Sequence, residues 1–175
     1  MGVSGSGKTT VGRQLAAHLG VEFLDADDFH PPENVAKMQA GTPLTDADRA
    51  GWLDRLRSSI ENRLAAGRPA VLACSALREA YRDTLHQHDE RIRVVFLRGD
   101  FATIQKRLAA RRGHYMPATL LASQFAALEE PRDAITVSIE LPPEEAVLEI
   151  VRELGFQAPL VSRERESSTS RPDGP

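Results

Sequence analysis

The sequence has a single cysteine, Cys74. No internal disulfide can form, and a reducing cytoplasm is the expected location. It also lacks an excess of charge: 22 Lys and Arg stand against 25 Asp and Glu, a formal net charge of −3. A nucleic-acid binder usually carries a basic face, so that class is disfavoured. No apolar run approaches the roughly 20 residues of a membrane span. The first residues lack the charged and apolar regions of a secretory signal. A guanine-reading N-K-x-D segment is missing too, which lowers the expectation of a GTPase switch. What is present is 41% hydrophobic residues over 175 positions, enough for one cored domain.

Helical and extended patterns alternate along the chain. Val11, Leu15 and Leu19 have helical spacing and precede Gly20, a favourable residue just past a helix. "VEFLD" reads as a strand, "HPPENVAKMQAG" as a short helix, and Thr45 as the cap of a long helix from "DADRAGWL" onward. "AVLAC", "IRVVFL" and "AITVSIEL" are further strands, separated by helices through Tyr81, from "DFATIQKRL" and over "ATLLASQFAALEE". "PPEEAVLEIVRELG" closes a domain expected over 1–156, and 162–175 read as a disordered tail. This alternation predicts an α/β fold, a three-layer sandwich around a parallel sheet.

Gly2 to Thr9 spell G-x-x-x-x-G-K-T. Gly2, Gly5 and Gly7 allow the backbone to curl, so that N–H groups of Ser4, Ser6, Lys8, Thr9 and Thr10 converge on phosphate oxygens. Lys8 is expected to neutralise charge on the β- and γ-phosphates. The Thr9 hydroxyl is expected to ligate Mg²⁺. The helix starting near Lys8 turns its positive end to the same place.

"FLDADDFHP" follows the second expected strand, counting one strand before the loop. The carboxyl ends of such strands face the ligand crevice. Asp25 and Asp27 are two apart and would share a face of an extended strand end. One carboxylate can hold Mg²⁺ through water while the other accepts a proton from an attacking hydroxyl. A solvated acidic turn is the competing reading.

Three segments carry a closer resemblance. "DADDFHPPENVAKMQAGTPLTDADRAGWL", "CSALREAYRD" and "RLAARRGHYMPATLLASQFAALEEP" resemble, in this order, the substrate segment, third-strand segment and lid of the gluconate kinase family. The resemblance implies ATP-dependent phosphorylation of D-gluconate at its 6-hydroxyl. It also implies a P-loop sheet of order 2-3-1-4-5, a substrate-binding segment at about 28–66, a lid at about 111–120, and a homodimer. By similarity to the D-x-D of shikimate kinases, Asp27 is the general base, with an ordinary carboxylate pKa, and Asp25 orients Mg²⁺-bound water.

A polyhydroxylated anion calls for cations and hydrogen bonders. The candidates are His30, Lys37, Arg49, Ser75, Arg78, Arg82 and, by resemblance, Gln124. Arg49 can clamp a carboxylate bidentately or pair with an aspartate of its own helix. Arg107 and Arg111 lie four apart, on one helical face, and are expected at the phosphates, with Arg111 catalytic. Cys74 and Trp52 are expected in the core.

Two other readings compete: another small-molecule kinase, of shikimate or nucleotide type, and a truncated, poorly folded form. The second arises because no strand precedes the loop. A central strand buries apolar surface worth on the order of 5–10 kcal/mol, comparable to a whole domain's net stability. A native start upstream of Met1 is therefore expected.

Overall fold

The computed structural model describes residues 1–110 and 118–155. Helix α1 (Lys8–Leu19) ends at Gly20, whose φ of 67° lies in the left-handed region and whose N–H closes the last turn. Strand β1 (Glu22–Asp25), α2 (Pro32–Gln39) and α3 (Asp46–Ala65) follow. Thr45 caps α3 in a full capping box: its hydroxyl accepts from the Asp48 N–H, and the Asp48 carboxylate accepts from the Thr45 N–H. Then come β2 (Ala70–Ala73), α4 (Glu79–Thr84), β3 (Val95–Arg98) and α5 (Phe101–Ala110). Helix α6 (Ala118–Ala127), β4 (Ile135–Ser138) and α7 (Pro143–Glu153) complete the described chain.

Helices cover both faces of β2. Val71 packs against a cluster that includes Val11 and Leu15 of α1 and Ile150 of α7. Its neighbour Leu72 packs against a second cluster built on Trp52, Leu53 and Leu56 of α3. Alternate residues of a strand point to opposite faces, so this split defines a three-layer arrangement.

The strands pair as the expected 2-3-1-4-5 order requires on either side of its central position. Strands β1 and β2 form one parallel pair, with Asp25 opposite Ala73, and β3 and β4 form another, with Val95 opposite Ile135. Between the pairs run Met1 and Gly2. The Leu97 N–H donates to the Met1 carbonyl at 3.0 Å, the Met1 nitrogen donates to the Val95 carbonyl, and the Gly2 N–H donates to the Ser75 carbonyl at 3.3 Å. A cavity of about 290 Å³ adjoins Met1, lined by Leu72 of one pair and Val95 of the other.

The lid residues Arg111, Arg112, Gly113 and His114, and the tail at 162–175, lie outside the described residues.

Candidate active site

Gly2 to Thr9 form a loop that turns directly into α1. Gly7 sits at the N-cap with φ of 94°, and no side chain caps the helix. A Cβ on Gly7 would meet nothing within 4 Å, but the positive φ favours glycine. Gly5 is required for a second reason: its φ is 85° and a Cβ would lie 2.8 Å from Leu108 Cγ. The open helix end therefore presents unpaired N–H groups to an anion. Ser6 is buried, and its hydroxyl has no partner among the described residues. An orphaned donor at this place fits a phosphate-bearing ligand.

Lys8 Nζ donates to the Val3 carbonyl at 3.1 Å, which curls the lysine back over the loop. Burial lowers its pKa, while Asp27 and Asp25 oppose the shift. The Thr9 hydroxyl donates to Asp25 Oδ2 at 3.1 Å. A hydroxyl and a carboxylate are hard oxygen donors, and Mg²⁺ takes one or two protein oxygens alongside phosphates and waters. The pair fits that ion.

Asp27 is not on an extended strand end. The chain leaves β1 at Asp25 into a 3-10 turn, Ala26–Phe29, and Asp25 Oδ1 accepts from the Asp27 N–H at 3.2 Å. An aspartate readily captures the N–H two residues on, and that local bond outcompetes further strand. The two carboxylates are thus set by a cap. The pKa of Asp27 is not ordinary either. Desolvation first, and the Asp25 charge second, raise it above the usual carboxylate value, with Lys8 and His30 opposing.

His30 stacks on Trp52 with ring centroids 4.6 Å apart and planes 8° from parallel. Trp52 is buried and donates from Nε1 to the Ala26 carbonyl at 2.7 Å. One tryptophan therefore fixes both the acidic turn and the imidazole. Desolvation first, and Arg49, lower the His30 pKa, with Asp27 opposing.

Beyond it, Arg49 donates to the Tyr81 hydroxyl at 3.4 Å and to Asp46 at 3.5 Å, and Arg78 donates to Asp46 at 2.8 Å. Arg49 therefore pairs with an aspartate of its own helix, and the same aspartate also holds Arg78. Ser75 accepts from the Gly2 N–H of the loop through its carbonyl.

Other expected residues are engaged elsewhere. Lys37 pairs with Asp48 at 2.6 Å. Arg82 is buried; its guanidinium donates to the carbonyls of Ala76 and Leu77 at 3.1 and 3.2 Å and to Gln87. Ala76 has φ of 41°, a strained value for a residue with a Cβ, and Arg82 holds that turn. Gln124 faces the phosphate loop: its Oε1 accepts from the Ser4 N–H at 2.7 Å, and its Nε2 donates to the Ser4 hydroxyl at 3.1 Å. Arg107 donates to the Ile139 carbonyl at 2.5 Å, beside the "IELPP" loop. Cys74 is buried, and burial pushes its thiol up to about 11, which leaves no thiolate nucleophile.

Asn34, not foreseen from the sequence, is 2% exposed and donates to the Asp48 carbonyl at 2.7 Å, close to His30 Nδ1. It ties α2 to the start of α3. Its only sequence signal was a polar residue within an amphipathic helix.

Comparison with known proteins identifies the family. The pattern of the shikimate kinase family matches residues 4–154. A gluconokinase of Gluconobacter oxydans is 47% identical over 161 residues, covering 90% of this chain and 89% of the relative. The thermosensitive gluconokinase of Escherichia coli is 45% identical over 132 residues, covering 75% of this chain and 71% of its own length. A solved gluconokinase from Sinorhizobium meliloti superposes with a TM-score of 0.78 at 42% identity, covering 89% of each chain. By these matches, which run over most of its length, the chain belongs to the gluconokinase family and carries a P-loop kinase fold of shikimate-kinase type.

Proposed function

We propose that the protein transfers the γ-phosphoryl group of ATP to the 6-hydroxyl of D-gluconate, giving 6-phosphogluconate and ADP. The observation that carries this reading is the path from the phosphate loop through the Thr9–Asp25 bond and the acidic turn to His30, stacked on Trp52 of α3, the helix that also carries Arg49. It links an ATP-binding end to a cationic end. A linear sugar acid fits it with the terminal hydroxyl at Asp27 and the carboxylate at the arginines.

The chemical roles follow from position. The open N-terminus of α1 and the loop N–H groups bind the phosphates. Lys8 balances charge on the β- and γ-oxygens. Thr9 and Asp25 would hold Mg²⁺, which would supply positive charge against the phosphate oxygens. Asp27 accepts the proton of the 6-hydroxyl as that oxygen attacks phosphorus. A raised pKa suits this task, since a base nearer neutrality takes a proton more readily. Arg107 is assigned to the nucleotide side. Arg111 is assigned to the transferring charge on sequence grounds. The enzyme is proposed to act in the cytoplasm as a homodimer, which light scattering would test.

An ADP-coupled assay with gluconate, shikimate and nucleoside monophosphates as acceptors tests the reading. Turnover with gluconate and none with the others is expected. Turnover with shikimate and not with gluconate would overturn it.

A further inference from the structure

Tyr81, on α4, stands at the centre of the arginine cluster. Its hydroxyl donates to Asp46 Oδ1 at 2.5 Å and accepts from Arg49 at 3.4 Å. The guanidinium carbons of Arg49 and Arg78 both lie 5.7 Å from its ring centroid. Arg49 comes from α3 and Arg78 from the residue capping α4, so two separate elements meet on one phenol ring. Stacking on an aromatic face restrains a guanidinium plane.

The cluster is already built for a carboxylate. Asp46 accepts from Tyr81, Arg78 and Arg49 together, and these partners, with the Tyr81 hydrogen bond foremost, hold its pKa below the usual carboxylate range. Each arginine uses only its Nη1 on Asp46 and Tyr81 among the described bonds. Each guanidinium has five N–H donors in a flat fork, so several remain for a second carboxylate.

We propose that Tyr81 is a positioning residue that sets specificity: its ring and hydroxyl hold Arg49 and Arg78 as one fork for the substrate's carboxylate. The enzyme thereby selects an anionic polyol over a neutral one. The proposal rests on the gluconate reading above. The described hydrogen bonds of the Tyr81 hydroxyl go to Arg49 and Asp46 and not to the phosphate loop, so its removal weakens acceptor binding and leaves phosphoryl transfer in place.

The test is steady-state kinetics of Tyr81→Phe and Tyr81→Leu with gluconate and ATP varied separately. A lost hydrogen bond to a charged group predicts a gluconate KM raised on the order of 10-fold in Tyr81→Phe. A larger rise is expected in Tyr81→Leu, which also loses the ring. In Tyr81→Phe, kcat and the KM for ATP stay within about twofold of the parent, as expected when only ground-state binding is removed. An unchanged gluconate KM in Tyr81→Phe would overturn the proposal, as would a fall in kcat with the ATP KM moving in parallel. If Tyr81→Leu does not fold, Tyr81→Phe, which keeps the ring, decides alone. Failure of the unsubstituted chain to phosphorylate gluconate would count against the underlying function instead.

Discussion

The hydroxyl of Thr9, on the first turn of α1, donates to the carboxylate of Asp25 at the end of β1, 3.1 Å away. This bond joins the phosphate loop to the acidic turn and brings together the two oxygen donors we propose for a divalent ion. Replacing Thr9 by Val keeps the shape and removes the oxygen. We expect kcat to fall by on the order of 100-fold and the Mg²⁺ requirement to rise, because metal charge stabilisation is worth several kcal/mol. Mg²⁺ titration of the activity checks this; an unchanged half-saturation would speak against Thr9 as a ligand.

Asp27 gives a pH signature. Its carboxyl is raised above the usual 3.8 by desolvation and by Asp25. The protonated acid cannot accept the proton of the attacking hydroxyl, so kcat rises with pH through this raised value. Asp27→Asn should lower kcat by roughly 10²–10⁴-fold. Asp25→Asn removes the neighbouring negative charge and should move the acid limb of the residual activity to lower pH. A limb that stays put would show that another group titrates.

The same shift predicts a stability effect of opposite sign to the activity effect. A carboxyl with a raised folded-state pKa favours the protonated form. Its contribution is fully present below the unfolded value and is lost as pH rises through the folded one. Asp27→Asn should therefore raise Tm at pH 7, with a gain that shrinks toward zero as the pH drops below 3.8. Thermal unfolding at a series of pH values checks this. A lower Tm at neutral pH would mean that Asp27 is a net stabiliser.

Arg82 separates a structural role from a substrate role. Arg82→Met leaves the carbonyls of Ala76 and Leu77 without their buried donor and frees the turn at φ of 41°. A loss of about 2–4 kcal/mol is expected, or a Tm drop of roughly 4–16 °C for a domain of this size. A raised gluconate KM with unchanged Tm would instead place Arg82 at the substrate.

Local signals in the chain account for most of the elements. The helix from Lys8 to Leu19 was legible because its apolar spacing ends at a glycine, and Thr45 was legible as a cap because aspartate follows at the third position. The phosphate loop was legible because its chemistry is local. The turn at Asp27 was not, since a side chain capturing a backbone N–H competes with strand at equal sequence cost. Lys37, Arg82 and Gln124 were recognisable as polar groups in the right segments. Their partners Asp48, Ala76 and Ser4 are set by tertiary packing, which decides whether a cation faces a pocket or a carbonyl. Tyr81 carried no signal of its own, because its significance lies in two arginines from different elements. Among the described residues, Met1 and Gly2 run between the two strand pairs, where the expected order places its first strand.

The central claim is a transfer from ATP to one particular oxygen. The direct measurement is ³¹P and ¹³C NMR of the product formed from ATP, Mg²⁺ and gluconate by the chain. We predict one phosphate monoester, coupled to the terminal hydroxymethyl carbon, formed in step with ADP. Release of inorganic phosphate without an esterified acceptor, or a phosphate on any other carbon, would contradict the account.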